Sequence, residues 1–262
     1  MTIDIYQIDA FTSHVFGGNP AAVCPLKEWL PDKTMLNIAK ENNLAETAFF
    51  IHLVENEFHL RWFTPEIEMD LCGHATLASA YVIFNCIDFD IDEIIFNSMS
   101  GKLIVQKSND KIEMNFPSRP PIPSTLPEII SKSLSIQPIE IFKARDYLIV
   151  YASEKDIISL KVNASILSDI NLDSGGIIAT AKGSDTDFVS RFFTPRASVF
   201  EDPVTGSAHC TLVPFWAKKL NKLNLHALQL SDRRGELFCR LDNDRVFIEG
   251  TAIKYLQGII EI

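Results

Sequence analysis

Two glycine turns frame the side chains in this chain that are suited to chemistry. One reads Leu71-Cys72-Gly73-His74, the other Val204-Thr205-Gly206-Ser207, and each runs into an apolar stretch at helical spacing. Helix N-termini leave backbone N–H groups unpaired and carry partial positive charge. Two such ends brought together would receive an anion such as a carboxylate. Taken singly, each glycine need only permit a tight turn, with His74 and Ser207 as caps; the pairing is what points to a ligand. Glu46 stands at the edge of the apolar run Ala48–Ile51. A partly desolvated carboxylate titrates nearer to working pH, which suits a proton shuttle; the same residue at the start of a strand also fits a solvent-facing glutamate. Asp202, in Glu201-Asp202-Pro203, is placed to hydrogen-bond a substrate or orient His74, or simply to favour a helix approach. His74 is the one histidine beside a glycine turn at a helix start. His14, His52, His59 and His226 have no evident partners, and His209 is expected on a helix surface.

The elements that must position these groups repeat. Phe58-His-Leu-Arg-Trp-Phe-Thr-Pro65 is answered by Phe188-Val-Ser-Arg-Phe-Phe-Thr-Pro195 at an offset of 130 residues, and Gly73 by Gly206 at an offset of 133. Gly101-Lys102-Leu103 answers Gly235-Glu236-Leu237, and Lys111–Met114 answers Arg245–Ile248, both at an offset of 134. Matches in order at a nearly constant offset indicate an internal duplication. Each copy offers an extended run stopped by Thr-Pro (Glu57–Phe63; Thr186–Phe193), then a helix carrying Leu77, Ala78, Tyr81 and Val82 or Leu212, Val213 and Trp216. Strands follow at Ile94–Asn97, Lys102–Gln106 and Lys111–Phe116, and again at Ala227–Leu230, Glu236–Arg240 and Arg245–Glu249. The copies differ where chemistry needs asymmetry: the residue 17 before Phe63 is Glu46, and the residue 17 before Phe193 is Gly176.

These marks divide the chain into an N-terminal half at 1–117, a proline-rich linker at 118–127 and a C-terminal half at 128–251. Prolines at 117, 120, 121, 123 and 127 make that stretch stiff and donor-poor. The fold class is α/β (α+β), with an active site expected at the seam between halves.

Composition narrows the function. The 262 residues carry a formal net charge of −10 with no run of Lys or Arg, which speaks against nucleic acid as a partner. No apolar stretch is long enough to span a bilayer, the N-terminus lacks a secretory signal, and five scattered cysteines fit reduced thiols, so a cytoplasmic location is expected. No His/Cys/Asp/Glu set has zinc-like spacing, and GxGxxG, GxxxxGK[ST] and GxSxG motifs are absent, so neither metal nor cofactor is expected.

Five blocks in order, Asp9–Thr12, Gly18–Val23, Asn43-Leu44-Ala45-Glu46-Thr47, Cys72–Thr76 and Asp202–His209, together resemble the phenazine-biosynthesis (PhzF-like) isomerase family over nearly the whole chain. The resemblance implies a diaminopimelate epimerase-like fold: two similar halves, each a curled, mostly antiparallel sheet around a central helix, with the segment 252–262 returning to the first half. It implies a proton shift within a small cyclic carboxylate, without cofactor or metal, and a homodimer. Carried over by position, it makes Glu46 the proton shuttle and has His74, Asp202 and Ser207 support the substrate, with Asn19, Cys72, Gly73, Thr205 and Gly206 in substrate binding. Thr205 stands where a two-thiol epimerase has its second cysteine, and Arg234-Gly235-Glu236 departs from the frequent Arg-Gly-Gly. The wording is closer to the family's broad branch than to phenazine-pathway members.

The sequence therefore points to an acid/base isomerase. Its rivals are an epimerase or racemase using Glu46 and Cys72 on opposite faces, and a metabolite- or protein-binding module without turnover. Substrate choice is expected to lie in Phe11–Asn19 and in the shape of the cavity.

Overall fold

The structure is a computed structural model that describes residues 1–87, 89–172, 175–195, 197 and 199–262. The fold is α/β, with eighteen strands and six helices among the described residues. The chain forms two compact units, Met1–Asn115 with Ile248–Ile262, and Phe116–Phe247.

The first unit contains β1 (Thr2–Ala10), β2 (Asn19–Leu26), α1 (Asp32–Asn42), β3 (Glu46–Val54), β4 (Glu57–Phe63), β5 (Glu68–Met69), α2 (Gly73–Asn85), β6 (Glu93–Ser98), β7 (Gly101–Ser108) and all but the last two residues of β8 (Lys111–Pro117). Its strands pair β1–β2 antiparallel, β2–β3 parallel, β3–β4 and β4–β5 antiparallel, β4–β6 parallel and β6–β7 antiparallel.

The second unit contains β9 (Ile122–Pro123), α3 (Glu128–Ser133), β10 (Glu140–Lys143), β11 (Tyr147–Val150), α4 (Glu154–Ser159), α5 (Ala164–Leu167), β12 (Ile177–Lys182), β13 (Phe188–Phe193), β14 (Glu201–Asp202), α6 (Gly206–Leu220), β15 (Asn224–Gln229), β16 (Gly235–Asp242) and the first half of β17 (Arg245–Gly250). The pairing order is the same: β10–β11 antiparallel, β11–β12 parallel, β12–β13 and β13–β14 antiparallel, β13–β15 parallel, β15–β16 antiparallel. The last strand, β18 (Ala252–Glu261), lies antiparallel along β1, so the chain ends in the unit where it began. The proline-rich stretch 118–127 is not merely a linker. Ile122 and Pro123 pair with Lys143 and Phe142, which makes it part of the second unit's sheet.

Each unit is organised around one buried helix. In α2 the residues from Gly73 to Ala80 are all buried, as are Val82 and Ile83. A helix surrounded by apolar neighbours loses its polar face, and α2 is correspondingly small and apolar: Ala75, Ala78 and Ala80 let strands approach. Its hydroxyls bond within the helix, Thr76 Oγ1 to the Cys72 carbonyl and Ser79 Oγ to that of Ala75. In α6 the buried set runs from Ala208 to Pro214 and includes Trp216, whose Nε1 donates to Thr180 Oγ1 at 3.0 Å. Pro214 sits inside this helix. Having no N–H, it leaves the Cys210 carbonyl without its helical partner. That carbonyl instead accepts from the Arg119 backbone N–H at 2.8 Å.

Candidate active site

In the first unit, three element ends converge. Glu46 opens β3, Asn19 opens the neighbouring parallel strand β2, and His74 is the second residue of α2. Gly18 makes the entry to β2 possible. Its φ is +59°, and a Cβ there would meet the Ala10 carbonyl oxygen at 2.1 Å. Cys72 precedes α2 in extended conformation and gives the helix no side-chain cap.

The imidazole of His74 is the hub. Its Nε2 is 3.1 Å from Glu46 Oε2, with side-chain exposures of 5% and 15%. Its Nδ1 is 3.1 Å from Asn19 Nδ2 and 3.6 Å from Cys72 Sγ. The Nε2–Oε2 approach is within ion-pair range, and among the described residues neither buried atom has a well-aligned hydrogen-bond partner. The Asn19 amide N–H donates to Nδ1 of a neutral ring, and the same amide turned over would accept from the imidazolium.

Burial works to lower the His74 basicity. The Cys72 sulfur and the Glu46 carboxylate work to raise it, and the net direction is upward. Burial also pushes the Cys72 thiol up to about 11. At neutral pH that thiol keeps its proton, so the lasting upward influence on His74 is the Glu46 charge. The donor atoms of Glu46, Cys72 and His74 lie within 4.8 Å of one another. That spacing would suit a metal ion, and the same short separations suit a proton relay, with Nε2 close to Glu46 and Nδ1 close to Cys72.

The second unit holds the other sequence-predicted residues in its own network. Thr205 Oγ1 donates to Asp202 Oδ2 at 2.5 Å. Gln229, fully buried, donates to the Asp202 carbonyl and to Thr205 Oγ1, and accepts from the Thr205 N–H at 2.8 Å. Ser231 Oγ donates to the Pro203 carbonyl. The turn before α6 is thereby fixed from three sides. His209 is wholly buried rather than on the helix surface, and its Nδ1 donates to the Thr205 carbonyl at 2.8 Å. Burial brings it down to about 4, so it is a neutral structural imidazole. His52 and His226 also have partners, the Glu55 carbonyl and Glu236 Oε1.

The register makes the asymmetry explicit. Thr47 faces Phe63 and Ile177 faces Phe193, so Glu46 corresponds to Gly176. A side chain at Gly176 would collide with Phe192 Cζ at 2.5 Å. The carboxylate of the second unit sits one strand over, at Asp146, whose Oδ1 accepts from the Gly176 N–H at 2.8 Å. Asp146 is fully buried and pairs with Arg145, which in turn donates to Ser207 Oγ at 3.1 Å. Sequence reasoning missed Arg145, Asp146 and Gln229. Only Gln229 leaves a signal, a polar residue at the inward position of the Leu225-Ala227-Gln229 alternation.

Comparison with known proteins identifies the family. The family model described as phenazine biosynthesis-like protein matches residues 8–258. A Pseudomonas aeruginosa protein described as an uncharacterized isomerase is 44% identical over 262 residues, covering 100% of each chain. A crystal structure of a PhzF-family phenazine biosynthesis protein from Enterococcus faecalis has a TM-score of 0.95 at 42% identity, again covering 100% of both. A predicted epimerase of known structure from Pseudomonas aeruginosa has a TM-score of 0.73 at 17% identity over 99% of each chain, which shows a shared fold. With a family match across almost its full length and closely similar full-length relatives, the chain belongs to the phenazine biosynthesis-like protein family.

Proposed function

We propose that the protein is an isomerase that moves a proton within a small carboxylate-bearing substrate, with Glu46 as the shuttling acid/base. One observation carries the reading: Glu46 Oε2 and His74 Nε2 are buried 3.1 Å apart, and among the described residues neither has a hydrogen-bond partner beyond that pair. A buried carboxylate with an unused oxygen can take a proton from a C–H group. The electron pair left behind delocalises into the substrate, and Glu46 returns the proton to another atom of the same molecule. Nothing is oxidised or reduced, so the step requires no redox partner. His74, favoured in its protonated form by the Glu46 charge, orients that carboxylate and balances the charge that develops. Asp202 and Ser207 are assigned to substrate support. The relative described as an uncharacterized isomerase favours the same class. An epimerase using Cys72 as second base is less well served, because burial holds that thiol protonated to about 11.

The test is deuterium incorporation. The protein and its Glu46→Gln variant are incubated in D2O with a panel of cyclic and amino-acid-derived carboxylates and read by NMR. Exchange into a C–H position is expected with the wild type and should fall roughly 10²–10⁴-fold in the variant. Exchange that survives in the variant would remove Glu46 from its role.

A further inference from the structure

The second unit contains a cation that the proposed reaction has not used. Arg145 lies in the three-residue turn between β10 and β11. Its Nε donates to both Asp146 oxygens at 3.2 Å, and its Nη2 to Asp146 Oδ2 at 3.0 Å and Ser207 Oγ at 3.1 Å. Asp146 is itself locked by the Gly176 N–H. The guanidinium is therefore held in one orientation before any ligand arrives, while its side chain remains 29% exposed. Its Nη1 edge makes no hydrogen bond among the described residues. Ser207 Oγ already accepts from Arg145, which leaves its own O–H to donate elsewhere.

A second arginine is anchored at the same helical turn. The Arg119 backbone is tied to the Cys210 carbonyl that Pro214 leaves open, and Ser207 and Cys210 are three apart on α6, hence on one face. Arg119 Nη1 is buried with no partner among the described residues. Burial pushes the Cys210 thiol up to about 11, and both arginines act against that rise, so both charges reach one sulfur. Asp146 offsets one of the two positive charges. The groups of Arg145 and Ser207 left over are donors, the two Nη1 hydrogens and the serine hydroxyl.

We propose that Arg145 is a carboxylate-binding residue, presenting its free Nη1 edge together with the Ser207 hydroxyl to the two oxygens of the substrate's carboxylate. Two donors held in place, one on Nη1 and one on Ser207 Oγ, suit the two oxygens of a planar carboxylate better than a flexible lysine ammonium would. The inference rests on the isomerase reading only in naming the ligand as that reaction's substrate.

Binding of benzoate and of benzamide to the full chain, followed by NMR titration, tests it. The wild type prefers benzoate. Arg145→Met loses benzoate affinity by roughly ten- to hundredfold, as expected for a charged hydrogen bond, with benzamide binding unchanged. Arg145→Lys recovers part of the loss. Ser207→Ala, which leaves the Arg145–Asp146 pair intact, weakens benzoate alone and serves if Arg145→Met does not fold. Unchanged benzoate affinity in these variants, or a wild type indifferent between the two probes, overturns the proposal. Arg145-dependent binding of inorganic phosphate more tightly than benzoate also overturns the carboxylate assignment. Glu46→Gln separates the two readings. It binds benzoate like the wild type whatever its turnover, so failure at Glu46 and failure at Arg145 are read independently.

Discussion

At the residue scale, His74 is the most informative reporter of the candidate site. Its proton is held by the Glu46 charge against the cost of burial. Replacing Glu46 by Gln removes that charge and keeps the shape, so the His74 imidazole should titrate lower than in the wild type. Labelled-histidine NMR across pH 5 to 9 measures this, and an unmoved His74 would mean that the two groups are not coupled. The folded value is raised, so the stability linked to protonated His74 is complete below the ordinary histidine range and is lost as pH rises through the folded value. Glu46 and His74 were legible in the sequence because Glu46 stands where the repeat has Gly176, and His74 follows a glycine turn. Asn19 was assigned by resemblance alone. Its contact with His74 spans 55 residues and has no local signature. Arg145 and Asp146 lie where the two halves share no wording, and their significance depends on which strand adjoins Gly176.

At the scale of elements, the start of α6 is the sensitive point. Its N-cap residue, Thr205, gives no side-chain cap, and the turn is held instead by Gln229, Asp202 and the His209 ring. His209 sits at about 4 in the folded protein, against an ordinary 6.5. An unfolded chain binds this proton first as pH falls, so the contribution of neutral His209 is complete above pH 6.5 and lost progressively toward pH 4. The loss is about 3 kcal/mol, from the size of the shift. Urea unfolding from pH 7 to 4.5 should show the wild type losing more stability than His209→Asn; equal slopes would assign the acid sensitivity to other groups. The strands around the repeat were legible to within a few residues, because alternation and Thr-Pro stops are local features, whereas β1 to β3 and β10 to β12 were not read. That His209 lies inside was not: in α6 both faces are buried, so helical periodicity does not separate inside from outside.

At the scale of the whole molecule, six strand pairings recur in the same order in the two units. This supports the reading of an internal duplication. The sequence located the repeat but mistook the start of the second unit for a spacer, because proline-rich composition resembles a linker even where Ile122 and Pro123 join a sheet edge. Removing residues 252–262 strips β1 of its longest ladder. In the truncated protein, hydrogen exchange should accelerate at β1 and β2 amides while β12 and β13 keep their protection. Equal acceleration in both units would show that they unfold as one.

The return of β18 to β1 has a bearing on synthesis. The strand that completes the first unit is made after every residue of the second, so the usual order, in which the N-terminal domain folds first as it leaves the ribosome, is unavailable here. For as long as the second unit is being translated, β1 has one neighbour, β2, and an unpaired edge of the kind that chaperones or a second nascent chain can capture. Slow translation through residues 116–247 would lengthen that exposure, and the yield of folded protein should depend on elongation rate more than on the stability of the finished molecule.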